Sequence, residues 1–373
     1  VSQVEVAPNG DVFYAASDPH DGHIYRSQDG GTTFTTSTAP GREDDWWESL
    51  KFSTANPQRA YLAGYRFQSH CLEGTVGAGD PCQHDSDCPI IEPRQKAGAT
   101  CGDAHKVMLL ARSDDGGVTF AAQMKYGLPI ARNGSELVVV GIDPVNPDIV
   151  YAKWRDGNTE TFYISRDAAV TWTPILEQHE PAAFVVRKTG ELVVSTKLSG
   201  SKRSLDHGGT WTDLAMPPHI GCLAEDAAGR VWACTQNYEQ VANPANGIPH
   251  IPADGFGIMM SQDLVTWHGV LRFQDIADAV SCPAGTAQHD QCVEKDDGMP
   301  SVWCCLAMQL GISSPGADCS GRLACVAPPM EAPPSRDVIR IPPPAAGGCC
   351  DSGAGASLWQ VLPVVFVLRR RRR

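Results

Sequence analysis

The 373-residue chain is 20% charged, has an ordinary apolar fraction and carries a formal net charge of −13. That balance implies a globular protein and excludes a nucleic-acid partner, because phosphate backbones are held by a surplus of Lys and Arg. Fourteen Cys, most of them grouped between strand-like runs, point to disulfides and an oxidising compartment. No phosphate loop, dinucleotide fingerprint or Gly-x-Ser-x-Gly elbow is present.

Residues 1–38 read as four short strands, at 4–6, 11–16, 23–28 and 33–36, separated by turn residues that include Asn9-Gly10. The chain has neither an initiator Met nor a signal peptide and starts in a strand-like run, so further N-terminal residues are expected in the intact protein. Between the third and fourth strands lies the frame Ser27, Asp29, Gly31, Thr33, Phe34. It recurs at Ser113, Asp115, Gly117, Thr119, Phe120 and at Ser204, Asp206, Gly208, Thr210, Trp211. A fourth copy, Ser165, Asp167, Thr171, Trp172, has Ala169 where Gly is expected, and a fifth, Ser261, Asp263, Thr266, Trp267, is one residue shorter and lacks the Gly.

Each residue type in the frame has a physical role. Ser and Asp bond nearby backbone and shape a tight turn, Gly allows positive φ, and Thr with an aromatic restarts a strand. A left-handed Ala169 would cost roughly 1 kcal/mol, so a relaxed turn is expected there. Strand pairs at 51–53 and 60–65, 137–142 and 149–154, 184–187 and 191–195, and 220–225 and 230–235 complete five units of four strands. A unit of about 40 residues cannot bury both of its faces alone. The expected fold is therefore an all-β propeller of four-stranded blades. Five blades are visible, and residues before Val1 or after Phe273 leave room for a sixth or seventh. A β-sandwich, the structural alternative, has no repeating frame.

Two Cys-rich segments interrupt the plan. The first is an insertion in the second blade, 68–105, with Cys71, Cys82, Cys88 and Cys101; the second, 274–327, holds six more Cys. Both are poor in large apolar residues and need disulfides, whose connectivity sequence alone leaves open. Cys222 and Cys234 fall on neighbouring strands of the fifth blade, close enough to bridge. A Pro-rich spacer, 328–348, precedes a tail, 349–373, made of Cys349-Cys350, an apolar run at about 354–368 and five terminal Arg. As a helix the run is about 22 Å long, short for a ~30 Å hydrocarbon core, with arginines that hold its end on the cytoplasmic side.

The repeated frame resembles the Asp-box of BNR-repeat, sialidase-like propellers, and Asp143-Pro144-Val145-Asn146-Pro147 with Val150-Tyr151-Ala152 resembles a strand opening of xyloglucanase-type members. The resemblance covers roughly residues 1–273. It implies that Ser27, Asp29, Gly31, Ser113, Asp115, Gly117, Ser165, Asp167, Ser204, Asp206, Gly208, Ser261 and Asp263 are structural and lie away from the ligand face. The tail resembles the MYXO-CTERM sorting signal of myxobacteria. That implies an exported protein, held transiently in the inner membrane, cut by a protease of the myxosortase type and anchored at the cell surface or outer membrane through Cys349 or Cys350.

Function is less legible. Sialidases of this fold place the first of three substrate-binding Arg in an Arg-Ile-Pro motif ahead of the first Asp-box; here only Arg26 precedes Ser27, and Arg340-Ile341-Pro342 lies in the spacer. Xyloglucanase-like members use two Asp facing a cleft. The best local candidates for that chemistry are Asp44 and Asp45, beside Trp46 and Trp47, whose ring faces suit sugars. The same Trp pair equally suits a filling between blades. Neither 18–23 nor 84–87 has zinc-ligand spacing, and only the acids of the latter suit calcium, so no metal or cofactor is expected. Two functions remain: a surface-anchored, non-catalytic propeller that binds a protein or glycan, which is the expectation, or a glycoside hydrolase.

Overall fold

The computed structural model describes residues 3–8, 10, 12–15, 22–38, 41–42, 45–72, 75, 81–82, 87–88, 101–132, 134–214 and 218–276. The first sheet is β1 (Gln3–Val6), β2 (Val12–Ala15), β3 (Ile24–Ser27) and β4 (Thr35–Ser37). The second is β5 (Trp46–Phe52), β6 (Ala60–His70), β8 (His105–Ser113) and β9 (Ala121–Ala122), with β7 (Pro81–Cys82) added alongside β6. The third is β10 (Glu136–Ile142), β11 (Val150–Asp156), β12 (Thr159–Ser165) and β13 (Thr173–Gln178). The fourth is β14 (Ala182–Val186), β15 (Leu192–Thr196), β16 (Ser201–Ser204) and β17 (Thr212–Leu214). The fifth is β18 (Cys222–Glu225), β19 (Val231–Cys234), β20 (Ile258–Ser261) and β21 (Trp267–Leu271).

Each sheet is a meander whose four main strands pair in chain order, with β7 off that path in the second. The chain divides into two compact units. One holds the described residues up to Val193 and Arg203–Thr212, and the other holds Val194–Lys202 and the described residues from Asp213 on. Within the first unit, β1 lies beside β5, β5 beside β10 and β10 beside β14. Meanders stacked first strand to first strand are blades, and the fold is an all-β propeller type with four-stranded blades. Apolar residues on both faces of a blade explain the packing. Trp47, Leu50 and Phe52 of β5 join Ile24, whereas Tyr61 and Ala63 of the same blade join Leu137 and Val139 of the next. Each such large side chain, fully buried, contributes about 1.5–3 kcal/mol.

The repeated turns close the third strand onto the fourth. In the first, Ser27 Oγ donates to Asp29 Oδ1 at 2.8 Å and accepts the Gly31 N–H at 2.8 Å, while Thr33 donates its N–H to Oδ1 at 2.8 Å and its hydroxyl to Oδ2 at 2.6 Å. Ser113 with Asp115 and Ser204 with Asp206 repeat this network. The short fifth copy keeps it with Leu264, at φ 64°, in the glycine's place. These donors hold the carboxyls low: Asp29 falls to about 2, first through the Thr33 hydroxyl, and Asp206 to about 2, first through the Thr210 N–H. A lowered carboxylate contributes stability above its unfolded value of 3.8, which is lost as pH falls through about 2.

The relaxed turn expected at Ala169 does not occur. Ala168 and Ala169 stand at φ 59° and 71°, and the Ala169 N–H still reaches Ser165 Oγ at 2.9 Å. The Ser165–Asp167–Thr171 hydrogen bonds, each worth roughly 0.5–1.5 kcal/mol, outweigh a left-handed cost of roughly 1–2 kcal/mol per residue. Ala168→Gly therefore stabilises the protein by about 0.5–1 kcal/mol, strain relief exceeding the added unfolded-state entropy. A higher urea midpoint with unchanged slope is the expected reading, and a lower midpoint contradicts it.

Disulfides join Cys71 to Cys88 and Cys82 to Cys101 in the second-blade insertion, and Cys222 to Cys234, which face each other across β18 and β19. In the insertion the four half-cystines themselves form the core, with Ser69 paired to Cys82 as β6 runs into β7. Closing loops of 17 and 19 residues restrains the unfolded chain by about 3 kcal/mol each. All six of these cysteines should resist thiol labelling in unreduced native protein, and modification of any pair would remove its bridge from the account. Residues 277–373, including the second Cys-rich segment, the spacer, Cys349, Cys350 and the expected short membrane helix, lie outside the described residues. No helix among the described residues is long and apolar enough to cross a membrane.

Candidate functional site

Meander topology fixes which residues share an edge of a blade. The start of the first strand, the end of the second and the start of the third meet at one edge; the Ser-x-Asp turns, between the third and fourth strands, lie at the other. In the second and third blades the former edge carries Trp46 and Glu48 on β5, Tyr65 and Arg66 on β6, Lys106 on β8, Glu136 at the start of β10 and Arg155 near the end of β11.

A β-bulge aims Glu48. Trp47 pairs with Gly64 and Ser49 with Ala63, so Glu48 is the extra residue, released from the alternation that buries its neighbours. Ser49, directly after it, accepts the Val139 N–H at 2.9 Å and ties β5 to β10. Glu48 Oε2 is buried and accepts no hydrogen bond from the described residues. Burial first, and then the charge of Glu136, push the Glu48 carboxyl up to about 7 against the pull of Lys106 and Arg155. Glu136 is buried and ion-paired with Arg155, its register partner across β10 and β11.

Aromatic rings line the same cluster. Trp46 stacks on its cross-strand partner Tyr65 at 5.5 Å and 18°, and Phe67 meets Tyr65 edge-on at 5.7 Å. The Lys106 ammonium sits 3.7 Å from the centre of the Tyr65 ring, a cation–π contact made strong by burial. Burial, followed by the two glutamates, pushes the Tyr65 hydroxyl up to about 12; burial lowers Lys106, against those glutamates. Two carboxyls in unlike environments, the cations Lys106 and Arg155 and a stacked aromatic pair thus converge at one blade edge. Such a set can hold a polyhydroxylated ligand by hydrogen bonds and ring-face contact, and can hold and move a proton at Glu48.

The sequence candidates are placed differently. Asp44 lies outside the described residues. Asp45 is fully buried; its Oδ2 meets Arg66 Nη2 at 2.7 Å and the Arg42 N–H at 3.0 Å. The backbone closes so tightly there that a Cβ on Gly41 would stand 1.8 Å from Asp45 Oδ2. Trp47 is core, donating its indole N–H to Gly22 O at 3.0 Å, whereas Trp46 belongs to the cluster just described. A depression of about 270 Å³ between Gly22, Thr36 and Arg42 adjoins the Asp45 side, and no paired acids line it among the described residues.

Of the two loops weighed for metals, 18–21 and 84–86 lie outside the described residues. Cys71, Cys82 and Cys88 bring three sulfurs together, but all are in disulfides and have no thiolate to offer a metal. Glu48 and Glu136 were the residues that sequence reasoning missed. The available signal was a charged residue at the head of an apolar first strand, as in Glu136-Leu137-Val138-Val139.

No protein-family model matches the chain, and no curated protein matches it. Solved structures similar to it include an ancestral GH74 enzyme, at 14% identity and a TM-score of 0.40 over 76% of this chain and 34% of that one. The NanB sialidase from Streptococcus pneumoniae matches at 11% identity and 0.39, over 70% of this chain and 64% of that one. YCF48 bound to a D1 peptide matches at 12% and 0.37, over 71% and 64%. The chain spans less than two thirds of the length of each of these three. They bear on fold alone.

Proposed function

We propose that this chain is a saccharide-binding propeller module whose ligand lies over Trp46 and the Glu48–Glu136 pair. The observation that carries the reading is the stacked Trp46–Tyr65 pair with two carboxyls and Lys106 at the same blade edge. Sugars are held by ring-face contact and by hydrogen bonds from fixed polar groups, and this edge supplies both. The reading needs no metal or cofactor. Its setting is an exported protein held at the cell surface by the C-terminal tail, after cutting by a protease of the myxosortase type; the three disulfides and the order of the tail sequence support that setting. A glycan array probed with wild type and Trp46→Ala tests the reading. Wild type should bind a defined set of glycans, and the variant should lose them by roughly tenfold or more. Capture of proteins but of no glycan by the wild type would overturn the saccharide class.

One observation favours a second reading, hydrolysis of a glycosidic bond. Glu48 keeps its proton near neutrality beside an ion-paired Glu136, and an acid next to a carboxylate is the pair that glycoside hydrolysis uses. Glu48 would then protonate the leaving oxygen while Glu136 serves the opposite side of the sugar ring. Release of reducing ends from a bound glycan by wild type, and its loss in Glu48→Gln with binding kept, is the result that would select hydrolysis over binding alone.

A further inference from the structure

At the Trp46–Glu48–Glu136 edge one charge is left without a direct partner. Lys106 stands on β8 opposite Phe67 of β6, so its side chain falls on the face that Tyr65, two residues from Phe67, also occupies. Trp46 reaches Tyr65 from the other neighbouring strand, β5. The three side chains therefore form a row across β5, β6 and β8 with the Tyr65 ring in the middle. Lys106 is only 8% exposed, yet its ammonium makes no hydrogen bond and no ion pair with the described residues. The contact it does make is with the Tyr65 ring, whose centre lies 3.7 Å away.

The rest of the edge does not neutralise that ammonium. Glu136 is taken by Arg155, its ion-pair partner from β11, and the two charges cancel. Glu48 senses Lys106, but burial and the charge of Glu136 keep its proton on up to about 7, so on the acid side of that value it brings no negative charge. The groups around the Glu48 carboxyl are Glu136 from β10, Arg155 from β11, Lys106 from β8 and Tyr65 from β6. With Glu48 protonated, the charge that remains is the positive charge of Lys106. A charge taken from water without a counter-charge is costly, and a ligand that supplies the counter-charge recovers that cost.

We propose that Lys106 is a specificity-determining residue, and that the saccharide taken at this edge is a hexuronate whose ring carboxylate meets the Lys106 ammonium. The proposal rests on the saccharide reading above and narrows it. An ammonium forms a charge-assisted hydrogen bond with a carboxylate. It does so as a point charge, because the two guanidinium groups of this edge, Arg155 and Arg66, are engaged with Glu136 and Asp45 and leave no free fork for bidentate recognition. The Tyr65 ring holds Lys106 in place before the ligand arrives, which reduces the ordering cost of binding. The chain's net charge of −13 opposes an anion only at long range, where salt screens it.

The test is calorimetry on the full chain with matched probes: oligomers of glucuronate, galacturonate and mannuronate, and the same oligomers with every carboxylate reduced to the alcohol. At about pH 6 the wild type should bind at least one hexuronate roughly tenfold or more tighter than its reduced counterpart. Lys106→Met keeps the length of the stem and should abolish that preference while melting no lower than wild type; Lys106→Arg, which keeps the charge, should retain it. Wild-type affinity for the hexuronate should fall as pH rises through about 7, when an ionised Glu48 competes for Lys106, and Glu48→Gln should remove that fall. Equal or tighter binding of the reduced oligomers, tighter binding of a sulfated neutral oligomer than of any hexuronate, or an undiminished preference in Lys106→Met would each overturn the assignment and leave the saccharide reading standing. Binding of no saccharide at all would overturn both.

Discussion

Glu48→Gln raises the free energy of unfolding at about pH 8 by about 2 kcal/mol and leaves it unchanged at about pH 4. The folded protein holds the Glu48 carboxyl at about 7, against 4.5 for the ordinary group. Between those values the unfolded chain has released a proton that the folded chain keeps. Wild-type stability therefore falls as pH rises through that window and levels off above about 7. Glutamine has no proton to lose and is free of this slope. Each pH unit of separation corresponds to about 1.36 kcal/mol before solvent screening reduces it. Urea unfolding of both proteins across the window gives the answer: converging curves at acid pH and diverging ones at alkaline pH are expected, and parallel curves would contradict a Glu48 carboxyl raised by burial and by the charge of Glu136.

Asp45→Asn destabilises the protein by about 3 kcal/mol or more without abolishing ligand binding at a permissive temperature. Asp45 is fully buried, and Arg66, 2.7 Å away, has a side chain only 15% exposed. Asparagine still accepts the Arg42 N–H but leaves the guanidinium charge without its counter-charge. Removing one partner of a buried pair costs more than the pair itself contributes, so Arg66→Met made together with Asp45→Asn should recover part of the loss. Thermal unfolding of the single and double variants measures this. A variant that melts like wild type but binds nothing would return Asp45 to the ligand site.

The fold was legible because local chemistry repeats. Ser, Asp and Thr at fixed offsets specify a turn whose hydrogen bonds are all within it, so the five turns could be placed, and the strands with them, without knowing a single long-range contact. The left-handed alanines were misjudged because the cost of Ala168 and Ala169 is a single-residue quantity, whereas the network that overrides it is collective. The site was less legible for a related reason. Trp46 and Trp47 are adjacent in sequence and point to opposite faces of β5, one to the cluster and one to the core, and only the register with Tyr65 and Gly64 separates them. Glu48 reaches Glu136 through a bulge and through the contact of β5 with β10, two features that no local pattern encodes.

The proposed site puts the ligand on the Trp46–Glu48–Glu136 edge and not on the Ser-x-Asp edge. A crystal structure of the chain with a glycan selected from the array tests this most directly. The predicted result is a sugar ring against Trp46 with hydroxyls about 3 Å from Glu48 or Glu136. A sugar seated on the turns of Asp29, Asp115 or Asp206, with the glutamate edge empty, would contradict it.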